Sequence, residues 1–365
     1  MKVNSQVIVI AEAGVNHNGT LTKALELVDA AADSGADIIK FQTFKSESLV
    51  SKFAQKAKYQ IENTQSNESQ LEMIKKLELS HQDHILIKKH CEKRGIEFLS
   101  TAFEAESLKF LVSELGIKRI KVPSGEIINL PFLLEMAHTR LPILLSTGMA
   151  TMDEIRTALN TLSFGWTYPD RVPQSKDLKN WKMDSKALEL LKKHVCILHC
   201  VSNYPAPPEA INLKAMLHIQ NEFGLPIGYS DHTLGIAAPI AAVALGARVI
   251  EKHFTLDRAL PGPDHLASLE PGELKLMVQE IRSCEKLMRG DGLKRPSAQE
   301  LETAKVARKS IVAGQSLKKG DIFSRDNIAI KRPGSGIKPE FYWDLLGKKA
   351  SRDYEADELI SETLS

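Results

Sequence analysis

The sequence predicts an α/β chain built as a closed (β/α)8 barrel with a small C-terminal β-rich domain. Short apolar runs alternate with helix-period segments eight times between Val7 and about Met288, which implies parallel βαβ units. Eight such units in roughly 250 residues suit a barrel better than an open sheet. A polar or ionisable residue also stands at or just past the end of every run. A barrel gathers its chemistry at the carboxyl ends of all its strands, whereas the alternative, an open doubly wound sheet, uses one crevice at a switch point.

In chain order the predicted strands are Val7–Ala11, Asp37–Phe41, Glu97–Ser100, Arg119–Val122, Pro142–Leu145, Val195–His199, Ile227–Tyr229 and Arg248–Ile250. Helical periodicity lies between them, at Leu21–Ser34, Glu104–Leu115, Met152–Leu162 and Leu234–Leu245. Two long irregular insertions interrupt the alternation. Lys45–Glu68 follows the second strand, where long loops shape or cover a site. Ser163–Lys193, with Trp166, Tyr168 and Trp181, is either a surface elaboration or part of the site.

The barrel domain is expected over 1–288. Residues 289–305 read as a linker, with Arg289-Gly290-Asp291-Gly292 and Arg295-Pro296-Ser297 supplying breakers and charge. A second domain follows over 306–365, with strand-like segments Lys309–Ala313, Asp326–Lys331 and Leu346–Ala350 and turns at Gly320, Gly334, Gly336 and Gly347.

Composition narrows the class of function. The 365 residues carry 48 Lys and Arg against 46 Asp and Glu, a net charge of +2, without the basic excess that nucleic acid or an anionic membrane demands. Small molecules and other protein chains are the expected partners. Cys91, Cys196, Cys200 and Cys284 form no CxxC pair or secreted framework, so free thiols in a reducing compartment, the cytoplasm, are expected. Met1–Gln6 leads directly into an apolar run too short for a signal peptide or a membrane span.

The strand ends offer Glu12, Lys40 with Gln42, Thr101, Lys121 with Ser124 and Glu126, Ser146, His199, Ser230-Asp231-His232 and Glu251-Lys252-His253. His232 and His253 close adjacent strands, which sets two imidazoles side by side on one rim. They suit either a catalytic metal with open positions or a pair of hydrogen-bonded structural histidines. Asp231 and Glu251 could orient them or form ordinary ion pairs. His199 is a third candidate ligand or a core histidine.

Lys40 and Lys121 with Ser124, Ser146 and Ser230 suit a phosphate or carboxylate, because each contact is a charge-assisted hydrogen bond. Barrel-end lysines also form Schiff bases. Glu12 and Glu126 are the carboxylates placed for proton transfer. Pro261-Gly262-Pro263 is a rigid turn that holds Asp264 near the mouth.

Taken together, the motifs closely resemble those of the bacterial sialic acid (N-acetylneuraminate) synthase family. They are IAEAGVNHNG at 10–19, KFQTFKSESLVS at 40–51, NESQLEMIKKLELS at 67–80, KVPSGEI at 121–127, LLSTGMATMDEI at 144–155, YSDHT at 229–233, EKHFTLDRALPGPDHLAS at 251–268 and KRPGSGI at 331–337. The resemblance implies a (β/α)8 TIM barrel followed by an antifreeze-like SAF domain. It also implies a domain-swapped homodimer in which Arg332 reaches the other chain's pocket.

Residue by residue, the resemblance assigns His232 and His253 to a divalent metal, Mn2+ first, with Mg2+ or Co2+ as substitutes. Lys40, Thr101, Lys121, Ser124, Ser146, Ser202 and Ser230 would hold phosphoenolpyruvate. Some members carry Asn at the position of Ser202. Glu12 and Glu126 would serve acid–base steps, and Gln42, Tyr204, Asp264 and Arg332 would face the sugar.

The expected reaction joins phosphoenolpyruvate, N-acetylmannosamine and water to N-acetylneuraminate and phosphate by C–O cleavage. The alternative, which the longer Ser163–Lys193 stretch favours, keeps the chemistry and takes 2,4-diacetamido-2,4,6-trideoxymannose to N,N'-diacetyllegionaminate. A Schiff-base aldolase leaves the histidine pair idle. A non-enzymatic ice- or carbohydrate-binding protein leaves the populated strand ends unexplained.

Overall fold

The computed structural model describes residues 6–57, 60–61, 66, 68–179, 181 and 184–363. These fall into two compact units, Met1–Arg289 and Gly290–Ser365. The first holds eight parallel strands: β1 (Ile8–Gly14), β2 (Ile38–Thr43), β3 (Glu97–Ala102), β4 (Ile120–Val122), β5 (Ile143–Ser146), β6 (Val195–Cys200), β7 (Ile227–Asp231) and β8 (Val249–His253). Hydrogen-bonded neighbours run β3-β2-β1-β8-β7-β6-β5-β4. The ring comes together where β3 and β4 pack side by side. There Arg119 donates from both Nε and a terminal nitrogen to the Glu97 carboxylate, at 2.7 and 3.0 Å.

Each predicted strand is present, and seven of the eight run one to three residues further toward the carboxyl end than the apolar runs suggest; β4 alone ends at the predicted Val122. The period-2 alternation of side chains explains the extension. Ile10, Ile38, Leu99, Leu144, Leu198 and Val249 fill the barrel interior. Two residues further along the same faces stand Glu12, Lys40, Thr101, Ser146, Cys200 and Glu251. Val9, Ala11, Ile39 and Phe41 alternate with these and belong to the larger cluster shared with the helices. A polar layer thus lies directly on an apolar one within continuous strands.

The helices Leu21–Asp33, His81–Arg94, Leu130–His138, Met152–Thr167, Lys214–Phe223, Ala237–Ala244 and Pro271–Leu287 surround the strands. His81–Arg94 begins with a capping box between Ser80 and Asp83 and stops at Gly95, whose φ of 71° ends the α-helical run. The predicted helix Glu104–Leu115 is shorter, with Ala105–Lys109 followed by a π turn over Phe110–Glu114.

In the second unit β9 (Ser310–Ala313) and β10 (Ile328–Lys331) pair antiparallel over a core of Ile311, Leu317, Phe323, Leu345, Tyr354 and Ile360. The expected strand Leu346–Ala350 is reduced to a single bridge between Ile322 and Lys349. Much of the expected linker is the helix Ala298–Ala307, capped by Ser297 with Glu300. Among the described residues no helix is long and apolar enough to cross a membrane.

Candidate active site

At the carboxyl end of the barrel, four buried charges interlock. Lys40 Nζ lies 2.6 Å from Glu12 Oε2 and 3.9 Å from Glu251 Oε2, and donates to Thr101 Oγ1 at 3.2 Å. Lys121 Nζ lies 3.0 Å from Glu251 Oε1, which also accepts from Ser230 Oγ at 2.9 Å. All four are at most 4% exposed. Burial pushes the Glu12 carboxyl up to about 7, against the pull of Lys40. Burial acts upward on Glu251 too, but the ammonium groups of Lys121 and Lys40 outweigh it and hold that carboxyl at about 2.

Burial alone would lower Lys40, yet Glu12 and Glu251 raise it above its ordinary value. A Schiff-base lysine attacks as the neutral amine, so Lys40 is unsuited to that role. Two fixed cations beside hydroxyls are groups that suit an anion, and each ammonium already faces a buried carboxylate.

The hydroxyl side is held by backbone. Ser124 Oγ accepts from the Gly148 amide at 3.0 Å and lies 3.6 Å from Cys200 Sγ. A β-carbon on Gly148 would come within 2.2 Å of Ser202 Oγ and 2.7 Å of Ser124 Oγ, so only glycine lets the two serines converge there. Among the described residues Ser146 Oγ and Glu251 Oε2 are buried without a hydrogen-bond partner, the latter 3.9 Å from Lys40 Nζ. A buried polar atom of this kind calls for a partner such as water, an ion or a ligand group.

The two imidazoles stand together, with ring centroids 5.5 Å apart and planes inclined by 51°. Tyr204 lies against both, 4.0 Å from the His232 ring and 5.7 Å from that of His253. His232 Nδ1 is 2.7 Å from the Val201 carbonyl, which can only accept. Nδ1 therefore carries a proton; burial acts to lower this imidazole, but the neighbouring Cys200 thiol and the Val201 carbonyl raise it above its ordinary value, and Nε2 offers a lone pair only when the ring is neutral. Burial holds His253 well below the usual imidazole range, hence neutral, and its Nδ1 has no hydrogen-bond partner among the described residues.

Asp264, whose carboxyl burial pushes up to about 6, lies 3.9 Å from His253 Nδ1. With imidazole–metal bonds of about 2.1 Å, two rings at this separation fit one ion between them. Among the described residues no group of three or more His, Cys, Asp and Glu side chains is placed to hold a metal ion.

Gly14 completes this corner. The ladder between β1 and β2 shifts register between Glu12 and Gly14, and Gly14 adopts a φ of 51°. A β-carbon there would lie 3.2 Å from Glu12 Oε1 and 3.4 Å from His253.

These groups line one cavity of 690 Å³, within the usual range of about 300–1,000 Å³ for small-molecule sites. Glu12, Lys40, Gln42, Thr101, Lys121, Ser124, Ser146, Ser202, Tyr204, Ser230, His232, His253 and Asp264 are all on its wall. Glu126 is not. It ends a 3-10 turn after β4, and its carboxylate accepts from Asn129 Nδ2 at 2.6 Å. Arg332 belongs to the second unit, where it is exposed after β10.

Asp231 accepts from Tyr229, Thr233 and the buried Lys252 and does not orient the imidazoles. His199 Nε2 is tied to the Ile211 carbonyl at 2.7 Å and serves as a core histidine. Described parts of the first insertion supply cavity wall, including Leu49, Val50 and Ala54. The described residues of the second insertion contribute none. Phe164, Tyr168 and Trp181 pack on one another instead.

Sequence reasoning missed how central Glu251 is. Its position two residues before His253, on the same face of β8, was the available signal.

Residues 27–294 match the NeuB family and residues 308–363 match the SAF domain. The chain belongs to the NeuB family. It is 48% identical to an N,N'-diacetyllegionaminic acid synthase of Campylobacter jejuni, over 98% of this chain and 99% of that protein. It is 47% identical to the enzyme of the same name from Legionella pneumophila, over 95% and 91% of the two chains. Among solved structures, the N-acetylneuraminic acid synthetase of Leptospira borgpetersenii, in complex with citrate, superposes with a TM-score of 0.65. It is 35% identical, covering 82% of this chain and 90% of that one.

Proposed function

We propose that this NeuB-family chain is a transferase that condenses phosphoenolpyruvate with 2,4-diacetamido-2,4,6-trideoxymannose and water, giving N,N'-diacetyllegionaminate and phosphate. The carrying observation is one cavity wall that joins two lysines, the barrel-end serines Ser124, Ser146, Ser202 and Ser230, and a histidine pair. The choice of sugar follows the identities of 47–48% to legionaminic acid synthases against 35% to the sialic acid synthetase. This reverses the sequence-based order, in which N-acetylmannosamine came first.

Lys40 and Lys121 bind the phosphate and carboxylate of phosphoenolpyruvate, with Thr101, Ser124, Ser146, Ser202 and Ser230 as hydroxyl partners. Gln42, Tyr204 and Asp264 orient the open-chain sugar. His232 and His253 are the residues to hold a divalent ion, Mn2+ foremost, which when bound supplies Lewis-acid polarisation of the aldehyde oxygen. The enol carbon C3 bonds to the aldehyde carbon, and positive charge develops at C2 beside the carboxylates of Glu12 and Glu251. Water adds at C2, the C2–O bond breaks, and phosphate departs toward the two ammonium groups. Glu12, near 7, is suited to hold or pass a proton at neutral pH. A cytoplasmic location fits four free, buried cysteines.

Released phosphate is measured with phosphoenolpyruvate and each of the two sugars, before and after chelation and Mn2+ return. The diacetamido sugar should turn over at least tenfold more efficiently. His232→Ala and His253→Ala should stay folded and lose the metal-restored activity. Full turnover of both variants in chelator would remove the ion from the mechanism, and turnover of N-acetylmannosamine alone would reverse the substrate.

A further inference from the structure

The cavity has two chemically different depths. Along β2 one face runs Lys40 and Gln42, with Phe44 just past the strand end, and the neighbouring β3 continues in step, with Gln42 opposite Thr101. The aromatic step beyond is closed by Phe44 and Phe103, edge to face with centroids 6.2 Å apart. Going outward along these two strands, the side chains change from cation to amide to aromatic, while Ser51, Gln60 and Gln70 add polar groups elsewhere on the cavity wall. Phe44 and Leu77 form an apolar cluster with Val15, against which Leu49, Ile74 and Phe103 pack. Phe44, Leu49, Ile74, Leu77 and Phe103 all line the cavity, together with Met73. The loop after β2 and the helix Gln70–Lys75 bring Leu49, Met73 and Ile74 to it.

Resting on the proposed reaction, we infer that this outer apolar wall is the specificity subsite for the remote end of the sugar and takes its C6 methyl and the methyl of its C4 acetamido group. The reacting aldehyde belongs at the depth of Gln42 and the imidazoles, so C4 to C6 lie outward, at the depth of Phe44 and Phe103. The two sugars share the C5 hydroxyl, and N-acetylmannosamine adds hydroxyls at C4 and C6. Against hydrocarbon these lose water without gaining a partner. A 6-deoxy sugar with a second acetamido group presents two methyls there instead, and each gains from leaving water. Pocket contacts of this kind discriminate by about 10–200-fold per group.

The test compares kcat/KM for both sugars in the wild-type chain and in the near-isosteric polar variants Leu49→Asn and Ile74→Thr. Leu49→Met and Ile74→Val serve as conservative controls. The polar variants should raise KM for the diacetamido sugar and narrow the preference for it by about tenfold. KM for phosphoenolpyruvate should hold, and the conservative pair should retain the wild-type ratio. A parallel loss on both sugars, or an unmoved ratio, would overturn the subsite while leaving the condensation intact. A wild-type chain active only on N-acetylmannosamine would sink the substrate reading and the subsite together.

Discussion

Glu251 sits between two ammonium groups and completes a balanced set of two carboxylates and two lysines under the anion site. Removing its charge leaves Lys121 buried without its carboxylate, a loss of about 3 kcal/mol in the unliganded chain. An incoming phosphate repays part of that deficit. Glu251→Gln should therefore melt lower than wild type in phosphate-free buffer and show a larger rise in Tm on adding inorganic phosphate, read by differential scanning fluorimetry. Equal phosphate shifts in the two proteins would mean that Glu251 does not set the charge of the site.

Thirteen of the fifteen expected site residues line the cavity, and most of them were legible because strand parity dictates where they point. Lys40, Thr101 and Glu251 each follow an interior apolar residue by two positions. Glu126 is off that wall because it lies in a 3-10 turn, where the period of two no longer holds.

The loops and helices at the barrel rim are fastened by buried neutral histidines. His17 Nδ1 accepts from the Gly19 amide at 3.0 Å. His84 donates to the Ser80 carbonyl at 2.9 Å and accepts from Thr43. His265 donates to Asn18 at 3.0 Å. Burial lowers all three, His17 to about 3 and His265 to about 4. Because the folded values lie below the unfolded one, the unfolded chain takes up protons that the folded chain refuses once pH drops below about 6.5. Their stabilising contribution is complete above that pH and fades as acid approaches the folded values. Each histidine should cost on the order of 1 kcal/mol per pH unit across that window. Urea midpoints measured from pH 7 to pH 4 should fall accordingly, and a flat profile would contradict the assignment.

At this scale the apolar runs revealed every barrel strand but ended most of them early, since a charged residue inside a strand looks like its end. The helix Ala298–Ala307 was hidden by a sequence without an apolar stripe, and none of its residues is buried.

The whole chain divides into a barrel unit and a small β unit, and the expected homodimer would join them across chains. In that arrangement Arg332→Ala chains mixed with Glu12→Ala chains should recover turnover that neither has alone, as some pockets regain both side chains. No recovery after co-refolding would make each chain self-sufficient. Only the family resemblance pointed to this role of Arg332, because no pattern within one chain can specify a residue meant for another.

The ring of strands carries its own weak point. β4 spans three residues and is laddered to β5 alone, while the seam with β3 depends on side-chain packing and the Arg119–Glu97 fork. Opening fluctuations should begin there, so deuterium should enter the amides of Ile120 and Val122 before those of β1, which is zipped to a neighbour on both edges. Lys121 rides on that same short segment, which places half of the cationic grip on the part of the wall that breathes first.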